Sequence, residues 1–478
     1  MGLVTPVEPV PLDELGRVHF VAIGGAGMSG IARIMLARGV PVSGCDSAAS
    51  PLLDELAALG ARVSVGHSAA HLAEADTLVV SSAIRAGNPE LVAARERGIR
   101  VLHRAAALAS LMIGRQGIAV AGTHGKTTTT SMITTVLRHC GADPSYVIGG
   151  ILAQTGVGAA QGAGTAFVAE ADESDGSFLM LAPDAAVVTS VEADHLDNYG
   201  GLAEIEAAFA AFAAKITAGG LLVTDADDAG ARRLAASASS SATAAGRPLR
   251  LVSYGESEDA DYRLTGVRPA GMATEFRLVY GSDEEVKLGI AVPGRHNAKN
   301  AAATFALAIE LGFDRDDVRA GLADYRGAMR RMEPKGEVAG VRVLDSYAHH
   351  PTELAVDLAA ARDIAGGRVI AIFQPHLFSR TRIFAQDFGR ALSAADEVFV
   401  LDVYAAREDP EPGVTGALVA DAVPGGHASF CLNFAAVPAE IADIAKPGDV
   451  VLTMGAGDVT KLGPLIVAAL RRRDGGEL

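Results

Sequence analysis

The first lysine of the chain is Lys126, and it stands inside the segment Gly122-Thr123-His124-Gly125-Lys126-Thr127-Thr128. An apolar run from Gly117 to Ala121 leads into this segment, and a helical pattern to about His139 follows it. Glycines at a strand-to-helix turn suit a polyphosphate. They let backbone N–H groups crowd an anion, the helix N-terminus adds partial positive charge, a lysine reaches the β- and γ-phosphates, and a hydroxyl such as that of Thr127 serves Mg²⁺. ATP and Mg²⁺ are therefore the expected cofactors. The common phosphate loop has four residues between its glycines, whereas Gly122 and Gly125 are separated by two. The competing reading is a glycine turn that happens to carry an exposed lysine.

Four further constellations could do chemistry. Gly25, Gly27 and Gly30 satisfy G-x-G-x-x-G, with Ala26, Met28 and Ser29 between them, and Asp46 closes the next strand. That turn presents a helix N-terminus to a pyrophosphate, so NAD and a UDP-sugar fit it equally, and a purely structural tight turn is the alternative. Ser81, Ser82 and Arg85 follow the fourth apolar run and are weaker candidates for the same ligand. Glu170 ends one apolar run and His195 follows another; with Thr127 they offer an oxygen and nitrogen set for Mg²⁺. His296, Asn297 and Asn300 open an alanine-rich helix beside Arg295, where Asn297 could equally be a helix cap. Finally, Asp345 ends a strand before Tyr347, His349 and His350, and the run Gln374 to Arg382, with His376, Arg380 and Arg382, occupies the turn after the next strand. Strand-end turns are where doubly wound sheets hold ligands.

The elements that must position these residues alternate short apolar runs with amphipathic stretches, which predicts parallel α/β sheets. Runs at Val18–Ile23, Val40–Cys45, Arg62–Val65, Thr77–Val80 and Ile99–Leu102 form a first Rossmann-like unit. Runs at Gly117–Ala121, Ala166–Glu170 and Ala185–Thr189 form a second, mostly parallel unit. Asp261–Thr265, Ala273–Tyr280 and Val286–Val292 lack helical spacers and predict a small antiparallel addition to it. Val341–Asp345, Arg368–Phe373, Glu397–Leu401 and Asp449–Thr453, with a helix from Pro351, form a third, Rossmann-like unit. Ala235–Gly246, nearly all alanine and serine, reads as a solvated loop. The three domains span roughly 1–112, 113–328 and 329–478 of the 478 residues.

Composition narrows the partners. Hydrophobic residues make up 49 % and charged residues 21 %, a globular balance. The formal net charge of −16 disfavours nucleic acid and anionic membrane surfaces. Cys45, Cys140 and Cys431 are far apart and show neither disulfide nor zinc-motif spacing. No signal peptide or membrane span is read, and a cytoplasmic protein is expected.

The shortened loop G-T-x-G-K-T-T resembles that of the Mur ligases, the amide-forming enzymes of peptidoglycan assembly. So do Val18 to Gly30, Glu170-Ala171-Asp172-Glu173-Ser174-Asp175, Glu192-Ala193-Asp194-His195-Leu196-Asp197, Pro293-Gly294-Arg295-His296-Asn297 and Tyr347-Ala348-His349-His350-Pro351-Thr352-Glu353. Their order along nearly the whole chain resembles the family branch that joins L-alanine to UDP-N-acetylmuramate. That resemblance implies a UDP-sugar at the first glycine turn, adenine and ribose at His296 and Asn297, and an acyl phosphate intermediate. It also implies that Lys126, His349 and Arg380 serve catalysis, that Tyr347 and Arg382 line the amino-acid site, and that the last domain closes on that site. A monomer or weak homodimer is expected. Several Mur ligases carry a carbamoylated lysine about fifteen residues after the metal-binding histidine, but here Ala207 to Phe212 fill that region and Lys215 comes late. Asp345-Ser346-Tyr347, where D-D-Y is frequent, and Arg407, where glycine is frequent, depart from the family pattern. The alternatives are a ligase that adds a whole tripeptide to the same UDP-sugar, a non-catalytic nucleotide-binding regulator, and an NAD oxidoreductase resting on the first glycine turn alone.

Overall fold

The computed structural model describes residues 3–195, 198–282, 284–406 and 408–475. Leu196, Asp197 and Arg407 lie outside the described residues, as does the side chain of Ala26.

Val18–Val21 is the middle of a five-stranded parallel sheet in the order Arg62–Val65, Val42–Asp46, Val18–Val21, Thr77–Val80, Arg100–His103. The strand order reverses between Val18–Val21 and Thr77–Val80, the switch point where such sheets hold ligands. Both the glycine turn and Ser81–Ser82 follow these two strands.

A second sheet has ten strands. Gln116–Ala121 lies between Ala166–Glu170 and Ala185–Val188, all parallel. The residues after each strand, the Lys126 loop, Glu170 and Thr189–Ser190, therefore emerge side by side. Tyr262–Ala270, Ala273–Tyr280 and Glu284–Ile290 extend one edge of this same sheet. The first two sheets share one hydrophobic core, from Leu15 and Phe20 through Leu108 to Phe209 and Phe212.

The run Ala235–Gly246 is not a solvated loop: most of it belongs to the helix Ala229–Ala244. Alanine is the best helix former, and the serine count misled the compositional reading. Asp228 caps the helix by accepting the Ala231 amide at 2.7 Å. Ala231, Leu234, Ala238 and Ala242 recur every three or four residues and are buried, while Ser240 turns its hydroxyl back onto the Ala236 carbonyl.

A third sheet has six strands in the order Glu333–Val338, Val341–Ser346, Val450–Met454, Val369–Phe373, Glu397–Leu401, Ala428–Cys431. The first is antiparallel to its neighbour and the rest are parallel. Separate cores cover its two faces. No helix among the described residues is long and apolar enough to cross a membrane.

Candidate active site

Gly125 is the N-cap of the helix Lys126–His139, with φ +81°, and a Cβ there would stand 2.8 Å from Asn300 Oδ1. Gly122 has φ +131°, and a Cβ there would overlap the Thr189 hydroxyl and lie 2.9 Å from the Ser190 amide. Both positions need glycine for conformation and for space. The turn is held from the neighbouring strand end: Thr189 Oγ1 donates to the His124 carbonyl, the His124 amide donates to Ser190 Oγ at 3.1 Å, and the Thr123 amide to the Ser190 carbonyl at 3.0 Å.

Lys126 Nζ donates to Glu173 Oε1 at 2.7 Å and to the Gly122 carbonyl at 2.6 Å. Burial would lower its pKa, but the carboxylates of Glu173, Asp172 and Glu170 outweigh that and raise it, so the ammonium is kept. Thr127 Oγ1 lies 3.0 Å from Glu170 Oε1, and the Gly149 amide donates to Glu170 Oε2 at 2.8 Å. Gly149 and Gly150 let this approach happen, since a Cβ on either would meet Glu170 or Thr127. His195, a non-glycine residue at φ +53°, faces Glu173 Oε1 at 3.7 Å and Asp194 at 3.6 Å. Thus Thr127 and Glu170 meet directly, while His195 stands with Glu173 on the Lys126 side. Thr128 is buried in the first helical turn.

The first glycine turn is tied to this loop. Asp46 Oδ2 accepts the Gly24 amide at 2.9 Å and so fixes the turn. A Cβ on Gly27 would lie 3.4 Å from Arg104 Nη1, and Arg104 pairs with Asp172 at 2.7 Å. Burial would raise the Asp172 carboxyl, but Arg104 and Lys126 hold it well below the ordinary carboxylate range. Ser82 Oγ donates to Asp175 Oδ2, which also lies 3.7 Å from His103. Gly30 packs its bare face on Ala159, a structural use of the third glycine. Met28 and Ser29 are buried. Ser81 accepts the Ile84 amide through its carbonyl.

Asn300 reaches the Lys126 loop, as its contact at Gly125 records. Asn297 is not a helix cap: its helix begins at Arg295, and its side-chain amide donates to the Pro293 carbonyl at 2.7 Å. Burial, with the charge of Arg331, lowers the His296 pKa to about 4, so its imidazole is neutral. His296 Nε2 is 3.7 Å from Asp357 Oδ1. Burial raises the Asp357 carboxyl from 3.8 to about 6, against the bond donated by Ser346 Oγ. Across that interval the folded chain keeps a proton the unfolded chain has lost, so stability falls as pH rises and the cost is complete above about pH 6. Asp357→Asn is therefore expected to melt higher than the parent at pH 8, with the difference shrinking toward pH 4; a pH-independent difference would exclude this reading.

In the third sheet, Asp345 is buried and bonded to Thr453 and Thr460 hydroxyls, each at 2.7 Å, and to Arg330 at 3.2 Å. Arg330 and Arg331 lie over the Tyr347 ring at 4.9 and 5.3 Å. His349 Nδ1 is 3.0 Å from the Tyr347 carbonyl and 3.3 Å from Glu353, and its ring is 6.0 Å from that of His376. His350 caps the helix Pro351–Ile364 through a capping box with Glu353. Arg380 is buried in the first turn of the helix Phe378–Leu392, whose N-cap Leu377 has φ +70°. Arg382 instead points to Glu411 at 3.0 Å and is about half exposed.

Three family descriptions match successive parts of the chain: Mur ligase family, catalytic domain, over residues 17–116; Mur ligase middle domain, over 120–308; and Mur ligase, glutamate ligase domain, over 330–457. The chain belongs to the Mur ligase family. Similar proteins include the UDP-N-acetylmuramate–L-alanine ligases of Thermobifida fusca, 55 % identical over 98 % of this chain and 100 % of that protein, and of Kineococcus radiotolerans, 56 % identical over 96 % and 97 %. Among solved structures, UDP-N-acetylmuramate–alanine ligase from Thermotoga maritima superposes with a TM-score of 0.79 at 29 % identity, covering 96 % of this chain and 99 % of that one. A murein peptide ligase from Psychrobacter arcticus shares the Mur ligase fold, with a TM-score of 0.69 at 24 % identity over 95 % and 98 %.

The middle Mur ligase match spans Gly122 through Asn300, both sides of the Lys126 loop. Sequence reasoning missed Glu173 and Asp172 as partners of Lys126 and Arg104, although both lie in a quoted acidic motif. Two carboxylates in a run of four acids look alike until packing selects them. The adjacent pair Gly149-Gly150 is the sequence signal of this close approach to Glu170 and Thr127.

Proposed function

We infer that this Mur ligase joins L-alanine to the lactoyl carboxylate of UDP-N-acetylmuramate with hydrolysis of ATP to ADP and phosphate, a step of peptidoglycan precursor synthesis in the cytoplasm. The observation that carries this reading is identity of 51 to 56 % to proteins bearing that name, along essentially the whole chain.

A carboxylate is a poor electrophile, so it must be activated before an amine can attack. The lactoyl carboxylate attacks the γ-phosphorus, the bond to the bridging β–γ oxygen breaks, and ADP leaves. The amine of L-alanine then attacks the acyl carbon and phosphate departs. In the first step negative charge meets negative charge, and fixed cations that need little reorganisation lower that barrier. Lys126, kept charged by Glu173, would reach the phosphates held at the N-terminus of its helix. His296, Asn297 and Asn300 would hold the nucleoside, and Gly25 to Gly30 with Asp46, Ser81 and Ser82 the UDP-sugar. His349, braced by Glu353, would take the proton of the alanine amine or hold the substrate in line, with Tyr347 and Arg380 beside the acyl group; Arg382, paired with Glu411, would have to leave that carboxylate to join them.

Mg²⁺ suits the residues beside the loop: a hydroxyl, carboxylates and an imidazole, with Glu173 Oε2 buried and lacking a hydrogen-bond partner. Thr127, Glu170 and His195 would hold it, and it would neutralise phosphate charge.

The test is ADP release with a panel of amine substrates. Turnover is expected only with the UDP-sugar present, with kcat/KM for L-alanine exceeding that for the L-Ala-γ-D-Glu-diaminopimelate tripeptide by about 10²-fold or more. Equal values would move the assignment to the tripeptide-adding ligase.

A further inference from the structure

Behind the first glycine turn, on the opposite side of the sheet from the helix Ala26–Ala37, four side chains from four elements converge. His19 comes from Val18–Val21, Cys45 from Val42–Asp46, His71 from the short helix Ala69–Leu72, and Glu90 from the helix Pro89–Arg97. One donor atom from each lies within 4.8 Å of all the others. His19, Cys45 and Glu90 are buried, Glu90 completely. Cys45 Sγ is 3.2 Å from Glu90 Oε1, and His71 Nδ1 is 3.1 Å from the same oxygen. His67 stands beside them, 3.3 Å from Cys45 Sγ.

Two features are hard to reconcile with a finished hydrogen-bond network. His19 Nδ1 is satisfied by Ser43 Oγ at 2.9 Å, yet its Nε2 is buried without a hydrogen bond, and so is Glu90 Oε2. In native proteins such orphaned atoms signal a bound water or ion. Glu90 also has no lysine or arginine partner among the described residues; its ion-pair neighbours are His67 at 3.6 Å and His71. Its Oε1 accepts the Ser68 amide at 2.7 Å besides meeting Cys45 and His71, so the open valence of this buried carboxylate is at Oε2.

We propose that His19, Cys45, His71 and Glu90 form a closed four-coordinate site for a divalent transition ion of the zinc class. The donor set is one thiolate, one carboxylate and two neutral imidazoles, whose charge of −2 a dication cancels. Zinc favours this mixture of sulfur, nitrogen and oxygen in tetrahedral geometry, with donors about 3.4 Å apart. On binding, the Cys45 thiol releases its proton to solvent as the Zn–S bond forms. Ser43 supplies the outer hydrogen bond that orients His19 and leaves Nε2 free as ligand. The site ties two helices to the strands whose ends carry Gly24 and Asp46, and the Ile23 amide donates to the Cys45 carbonyl at 2.9 Å. Its role is structural, separate from the hard-ligand set near Thr127.

The full chain, free of any affinity tag, is measured for zinc by mass spectrometry and by zinc-edge X-ray absorption. The expected result is one zinc per chain, coordinated by one sulfur and three nitrogen or oxygen atoms. Cobalt(II) added to metal-free protein should give a thiolate-to-metal charge-transfer band that disappears in Cys45→Ser, and His19→Gln should weaken cobalt affinity at least tenfold without changing the far-ultraviolet circular dichroism. The Thr127 region has no thiol and cannot produce that band. A folded chain that holds no zinc and gives no thiolate band overturns the proposal in favour of a buried water. So does a band that persists in Cys45→Ser, or a zinc shell without sulfur. Should Cys45→Ser fail to fold, the absorption spectrum of the unmodified chain decides alone.

Discussion

Lys126→Ala is expected to lower kcat for ADP release by about 10³-fold, because it deletes a preorganised cation at the point where two anions are brought together. The substitution has a second consequence. Glu173, with a side chain only 3 % exposed, loses the ammonium 2.7 Å away and becomes a buried charge without its partner. Breaking such a pair from one side costs about 3–5 kcal/mol of stability. A fall in activity could then be blamed on unfolding, so the informative comparison is the double variant Lys126→Ala with Glu173→Gln. It should recover most of the lost thermal stability and none of the lost turnover. Normal turnover in the single variant would remove Lys126 from the phosphate site. Recovery of turnover in the double variant would mean that its role is only to neutralise Glu173.

Gly122→Ala should be nearly as damaging by a different route. At φ +131° an alanine is strained by about 1–3 kcal/mol, and its Cβ must displace Thr189 or the backbone of Ser190, a further 1–3 kcal/mol. For a domain of this size the melting midpoint should fall by roughly 10 °C. The displaced Thr189 and Ser190 are the residues that hold the His124 amide and carbonyl, so ATP affinity should fall with stability. Isothermal titration with ADP at a temperature where the variant is folded separates the two effects. Parent-like affinity there would mean that the loop conformation tolerates the added methyl group.

The parts of this molecule that could be read from the sequence are those specified locally. The strand Gln116–Ala121, the Lys126 helix and the strand ends before Glu170 and His349 each announce themselves through a run of apolar residues and a turn. The Ala229–Ala244 helix did not, because serine is common in loops and the decisive features are a cap at Asp228 and a buried stripe that only the tertiary neighbours reveal. The candidate site divides the same way. Lys126 and Thr127 are marked as candidates by the glycine spacing around them, whereas Glu170, at a strand end, stands out only through the family resemblance of its segment. Glu173, Arg104 and Asp172 are brought in by packing between elements tens of residues apart. His195 has Glu173 and Asp194 as its carboxylate neighbours, which no periodicity could indicate.

The seam between the first two sheets has a consequence for exchanging parts among family members. Arg104 meets Asp172, Ser82 and His103 meet Asp175, Arg38 meets Gln161, and Gly30 lies bare against Ala159. The first domain is therefore not a cassette. A chimera that imports another enzyme's nucleotide-sugar module would import one half of each of these pairs, and only grafts that carry Gln161, Ala159, Asp172 and Asp175 with the module preserve the joint. Inheritance of the two sheets as a single block follows from that shared boundary.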